Sequence, residues 1–121
     1  MTPFTCNMEA LKPEERLLHI SLAKDLFSTV QDIRTLEDGF AFLLRNTSNA
    51  VTRLADFISN EQLCCPFFGF AIILEPEGAG LWLHITGGNS IKQFIQAEIG
   101  RALPGELAKK LDSMINSNEE R

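Results

Sequence analysis

Residues 57–86 read FISNEQLCCPFFGFAIILEPEGAGLWLHIT, and within them the apolar pattern changes its period. Upstream of the cysteines, Val51, Leu54, Ala55 and Ile58 recur at the spacing of one helix face, after Ser48 or Asn49, either of which can cap free N–H groups. Pro66 pushes the residue before it out of the helical region, so this helix has to stop by about Cys64. Beyond the proline, residues 68–75 and 81–86 are strand-like runs, and the PEGAG segment between them is a Pro/Gly turn. The stretch therefore reads as the end of a helix followed by a β-hairpin.

Working outward, Asp38-Gly39 separates residues 30–36 from 40–46 and is the strongest short hairpin signal in the chain. Phe40, Phe42 and Leu44 point to one side of that second arm, and Ala41, Leu43 and Arg45 to the other. Pro13 to Thr29 reads as a helix, with Pro13, Glu14 and Glu15 suited to its first turn. Leu18, Leu22 and Leu26, flanked by Leu17, Ala23 and Phe27, supply its apolar face. After Gly87-Gly88, Asn89 or Ser90 can cap a third helix through Ile91, Phe94, Ile95 and Ala97 to Ile99. Pro104 and Gly105 break it; a short amphipathic piece with Leu107, Ala108, Leu111 and Ile115 follows, and SNEER is a frayed end.

The order is α-β-β-α-β-β-α. Two hairpins and helices with one apolar face each predict an α+β fold: a four-stranded antiparallel sheet with the helices packed mainly on one side. With 121 residues, the chain fits a single domain over 1–121, with an N-terminal segment at 1–12 and a C-terminal extension at 104–121.

Composition narrows the function classes. The formal charge of -5 and the lack of a Lys/Arg cluster argue against direct contact with nucleic acid. The longest apolar stretch, around residues 63–74, is too short for a membrane span, and the N-terminus lacks the pattern of a secretory signal. A cytoplasmic location is expected. There, three cysteines should stand as reduced thiols and not as a disulfide framework. No GxSxG elbow, P-loop or GxGxxG occurs, no carboxylate pair stands out for acid–base work, and no organic cofactor is implied.

Three randomly placed cysteines would be neighbours in only about one chain of this size in twenty, so adjacency of Cys64 and Cys65 is informative. Packing is one reading, because free cysteine is among the most buried residue types and Phe67, Phe68 and Phe70 lie alongside. Chemistry is the other. Glu61 precedes Cys64 and Cys65 by three and four residues and can share a helix face with at least the first thiol. Its carboxylate and the negative end of the helix dipole both raise a thiol pKa, which disfavours a spontaneously ionised nucleophile. Paired thiols suit a soft cation that displaces their protons. Cys6 lies in the segment before the first helix, which can fold over a site elsewhere, and three thiolates suit Hg(II) or a trivalent metalloid. His84, on one strand face with Trp82 and Thr86, is either a fourth ligand or proton carrier, or a histidine satisfied on the sheet. His19 receives no role.

The string Glu61-x-x-Cys64-Cys65-Pro66-Phe67-Phe68-x-Phe70, with Leu81-Trp82-Leu83, Thr86-Gly87, Lys92 and Phe94, resembles a group of small bacterial proteins marked by an ExxCCPF signature. The likeness also takes in Cys6 and Asp38-Gly39-Phe40, and spans most of residues 4–95. It implies a heavy-metal resistance context, alongside or joined to mercury-type metal-responsive regulators, and a functional role for Cys64, Cys65, Glu61 and Cys6.

The expected function is a small thiolate module that binds a soft metal or metalloid through Cys64, Cys65 and Cys6, with Glu61 and His84 behind them, and hands the ion to a thiol-containing acceptor. Two alternatives stand beside it. One is a cysteine-dependent enzyme using Cys64 or Cys65 with Glu61 as base. The other is a dimeric interaction module with structural cysteines, for which exposed apolar surface at Leu107, Leu111 and Ile115 would be the structural clue.

Overall fold

A computed structural model describes residues 6–88 and 90–119, with the backbone alone for 117–119. Helix α1 (Pro13–Ser28) is followed by strands β1 (Asp32–Leu36) and β2 (Gly39–Leu44) and by helix α2 (Ala50–Cys64). Strands β3 (Gly69–Leu74) and β4 (Leu81–Thr86) come next, then helices α3 (Ile91–Ile99) and α4 (Gly105–Glu119). The four strands make one antiparallel sheet in the order β1-β2-β4-β3, so the second hairpin docks through its later strand.

The α+β architecture expected from the two hairpins is present. Phe40, Phe42 and Leu44 of β2 join Leu81, Leu83 and Ile85 of β4 under the helices, in one core with Leu54, Phe57, Ile91, Ile95 and Leu111. Alternate residues face the other side. There, Trp82 Nε1 donates to Glu75 Oε1 at 2.9 Å, and the Arg34 guanidinium lies 4.3 Å from the Trp82 ring centroid. This amphipathic pairing keeps the indole largely covered on a face without helices.

Several local expectations change. Of the face expected for α1, Leu26 and Phe27 are buried and Leu22 and Ala23 pack against the core, but Leu17 and Leu18 are 73% and 71% exposed and His19 is buried in their place. The helix is apolar around much of its circumference, so leucine spacing extends the face too far at its N-terminal end, where the covered side runs through Arg16 and His19. Val51 and Ala55 of α2 are likewise exposed, while Ala50 and Phe57 are buried. Asn49 and Ser90 occupy cap positions without a side-chain cap hydrogen bond, and Asn89 lies outside the described residues. Helix α4 continues to Glu119, through the first part of the expected frayed end. Its Leu111 and Ile115 are core residues, so they do not form the exposed surface sought as a clue to self-association.

At the first hairpin, neither Asp38 nor Gly39 has a positive φ. Gly39 serves closeness: a Cβ there would collide with the backbone of Ile85 and Thr86 on β4, and the Gly87 N–H reaches the Asp38 carbonyl at 2.9 Å. No helix among the described residues is long and apolar enough to cross a membrane.

Candidate functional site

The site forms where α2 stops. Cys65 is the C-terminal cap, with φ -129° and ψ 70°, and its N–H still reaches the Glu61 carbonyl at 2.7 Å. Pro66 explains the departure from helical geometry. Cys64, the last helical residue, stays on the buried face of α2 and is 0% exposed. One step along the chain thus sends two adjacent thiols into different surroundings.

The N-terminal segment is docked against this junction. Asn7 N–H donates to the Cys64 carbonyl at 2.7 Å, and Asn7 Oδ1 accepts from Glu9 N–H at 3.1 Å, starting a single 3-10 turn over Met8–Ala10. Arg16 clamps the same segment from α1: its Nε donates to the carbonyls of Met8 at 2.8 Å and Leu11 at 3.0 Å. These contacts hold Cys6 beside Cys65, with their Cα atoms 4.6 Å apart, and the two form a disulfide. The expectation of three reduced thiols is therefore corrected. The partners stand 59 positions apart in sequence, and a docked N-terminal segment brings within bonding range what spacing alone could not show.

Glu61 joins the two sulfurs. Its Oε1 lies 3.0 Å from Cys65 Sγ, and the Cys6, Cys65 and Glu61 ligand atoms all fall within 4.8 Å of one another. In the dithiol form Cys65 has a hydrogen to donate to that carboxylate; in the disulfide it has none. The other carboxylate oxygen, Oε2, is 3.4 Å from His19 Nε2. His19 is 4% exposed and stacks on Phe57, with ring centroids 5.4 Å apart and planes inclined by 17°. Its Nδ1 is buried without a hydrogen-bond partner among the described residues.

Electrostatics separates the cysteines further. Burial pushes the Cys64 thiol upward, the Glu61 carboxylate adds to the rise, and Arg16 offsets part of it. A protonated, buried thiol is a poor nucleophile and a poor metal ligand. The structure thus brings together Cys6, Cys65 and Glu61 but leaves Cys64, a residue expected at the centre, in the core. His84 is also elsewhere: it follows Leu83 and precedes Ile85, both directed under the helices, and so faces the opposite side of the sheet beside Ala41 and Ala71.

Cys6, Glu61 and His19 also line a cavity of about 1030 Å³ between the helices and the sheet. Its wall is largely apolar, with Phe27, Phe57, Phe68, Phe70 and Phe94 among its residues, and the exposed Lys24, Glu98 and Arg101 stand around it. Two contributors escaped the sequence reading. His19 and Arg16 have a helical signal, falling at three- and four-residue intervals with Ala23 and Leu26, but their partners come from α2 and the N-terminal segment and required the tertiary fold.

No family model matches this chain, and neither a curated protein nor a solved structure is significantly similar to it.

Proposed function

We propose that this protein binds a soft metal or metalloid ion through the Cys6 and Cys65 thiolates, with Glu61 beside them, and releases it to an acceptor thiol. The observation that carries the reading is the approach of two sulfurs and one carboxylate to within 4.8 Å at the wall of a cavity. Thiolates are the ligands that select thiophilic ions. Each thiol must lose its proton on binding, and Glu61 is placed to receive one, while His19 balances the carboxylate's charge when protonated. The likeness to ExxCCPF proteins of heavy-metal resistance contexts points the same way.

The disulfide gives this reading a second state. In a reducing cytoplasm the pair stands open as a dithiol and takes up the ion; oxidation closes it and leaves no thiolate to bind. Exchange proceeds one sulfur at a time, as an incoming thiol replaces a protein thiolate. A thiol enzyme is less well supported: Cys64 is buried with its thiol pushed upward, and Cys65 is bonded to Cys6.

The test is a titration of reduced, metal-free protein with Hg(II) in competition with a small thiol, following thiolate-to-metal absorbance. Cys6→Ser and Cys65→Ser should each weaken binding by at least about 100-fold, because a bidentate site becomes monodentate. Cys64→Ser should remain within a few-fold of wild type. Equal, weak signals from all four proteins would refute the site, and a loss confined to Cys64→Ser would move it into the core.

A further inference from the structure

The cavity is far larger than an ion needs. At about 1030 Å³ it reaches the upper size of sites that take small organic molecules, and its wall has their usual character, apolar with several phenylalanines and a few polar groups. Cys6 and Glu61 belong at once to the sulfur and carboxylate cluster and to this wall, so whatever is bonded to the sulfurs sits at the cavity. His19 stands in the same wall with its Nε2 toward Glu61, so the cluster and the wall share one side chain more.

Valence narrows the occupant. An inorganic trivalent metalloid is best satisfied by three thiolates, yet only two sulfurs converge here, because Cys64 is turned into the core. Two sulfurs leave one bond of a trivalent centre unfilled. We infer that the ligand is a trivalent metalloid carrying one organic substituent, an aryl arsenical in particular, with the two As–S bonds made to Cys6 and Cys65 and the aryl ring in the phenylalanine-lined cavity. This inference rests on the dithiol reading above and deepens it.

The chemistry balances without oxidation of the metalloid. After a small thiol reductant has opened the disulfide, the dihydroxy form of the arsenical meets two thiols. Two As–S bonds form and two As–O bonds break; each departing hydroxide takes one thiol proton, and two waters leave. Arsenic stays trivalent throughout. Glu61, 3.0 Å from Cys65 Sγ, accepts and returns the proton of that thiol during exchange.

The probes are phenylarsine oxide, its methyl analogue and arsenite, applied to the full chain after reduction and removal of the reductant. Their affinities are referred to those for a small free dithiol, which removes the intrinsic preference of the metalloid. Burial of the ring should give phenyl over methyl an excess of about 10- to 100-fold in the protein relative to that reference. Ala23→Leu, which adds bulk to the cavity wall, should reduce the excess while arsenite affinity stays within about twofold of wild type, the latter also reporting an intact dithiol. Should arsenite bind through Cys6 and Cys65 with no phenyl excess over the free dithiol, the inference about the cavity is wrong and the soft-ion reading stands. Should neither compound bind in a manner dependent on Cys6 and Cys65, both fall together.

Discussion

Two halves of one sheet are built differently. Across the row Ile33, Phe42, Leu83 and Ile72, paired from β1 to β3, the first three residues are at most 1% exposed and the last is 36% exposed. The row of Leu44, Leu81 and Leu74 repeats the step, from buried to 53%. Helices α3 and α4 pack on β1 and β2, whereas the outer part of β3 is left uncovered, and the cavity lies at the start of β3, over Phe70 and Ile85 and between α1, α2 and α3. Dense packing specifies the fold on one side, and the incomplete cover on the other begins where the cavity does. The difference teaches where substitutions should register as stability and where they should register as binding.

The largest effect should come from the closed half. Phe42→Ala deletes a ring that is fully buried edge-on to Phe27, 5.5 Å between centroids, and should lower unfolding free energy by about 3 to 5 kcal/mol. Ile72→Ala, in the same row, should lower it by no more than about 1 kcal/mol. Urea midpoints at equal slope provide the measurement. Similar losses from both substitutions would break the comparison, and would mean that β3 is covered in solution, as it would be in a homodimer.

The disulfide offers the next largest effect and sharpens the contrast. Closing a loop of this length restricts the unfolded chain by about 4 kcal/mol, so reduction should lower stability by close to that amount. The loss should be felt in two ways in hydrogen exchange. Amides of β2 and β4, which open by global unfolding, should quicken by the factor of about a thousand that corresponds to that loss, while the Asn7 and Leu11 amides, bonded to Cys64 and Met8, should open locally and lose protection beyond it. Acceleration of Asn7 and Leu11 to the same final rate as β2 and β4 would show that the N-terminal segment stays docked without the disulfide and opens only with the whole sheet.

Much of this division was legible in the sequence, and what was hidden has identifiable causes. Alternation in residues 40–44 and 81–86, the Asp38-Gly39 turn and the proline after Cys65 place the elements to within a few residues. These are local signals. The run FGFAIIL at 68–74 looks as apolar as a central strand, yet β3 is an edge, because sheet order depends on which arm of a hairpin docks and no local pattern records that. His19 was passed over for the same reason: its stacking on Phe57 and its approach to Glu61 join two helices. At the cysteines the residue type was informative, but the assignment within the pair turned on one backbone step. Helix geometry keeps Cys64 inward, and the proline releases Cys65 toward Cys6.

That step allows the smallest effect to be read cleanly, since Cys64 and Cys65 differ in burial chemistry while sharing a helix end. Burial holds the Cys64 thiol protonated in the folded protein, with Glu61 reinforcing it. Below the free thiol pKa of about 8.5, Cys64 is protonated whether the chain is folded or not, and its contribution to stability is complete. As pH rises above that value the unfolded chain gives up the proton while the folded chain keeps it. Stability then falls, by at most about 1.4 kcal/mol per pH unit, until the raised folded pKa is passed. Cys64→Ala lacks this term and carries instead a pH-independent loss of about 1 to 2 kcal/mol from lost packing. With the disulfide intact in both proteins, urea midpoints between pH 7 and 10 should therefore show wild type ahead at neutral pH and the gap narrowing as pH rises. Parallel curves would mean that Cys64 ionises as freely in the fold as outside it, which would place its thiol in solvent and make it available to the site after all.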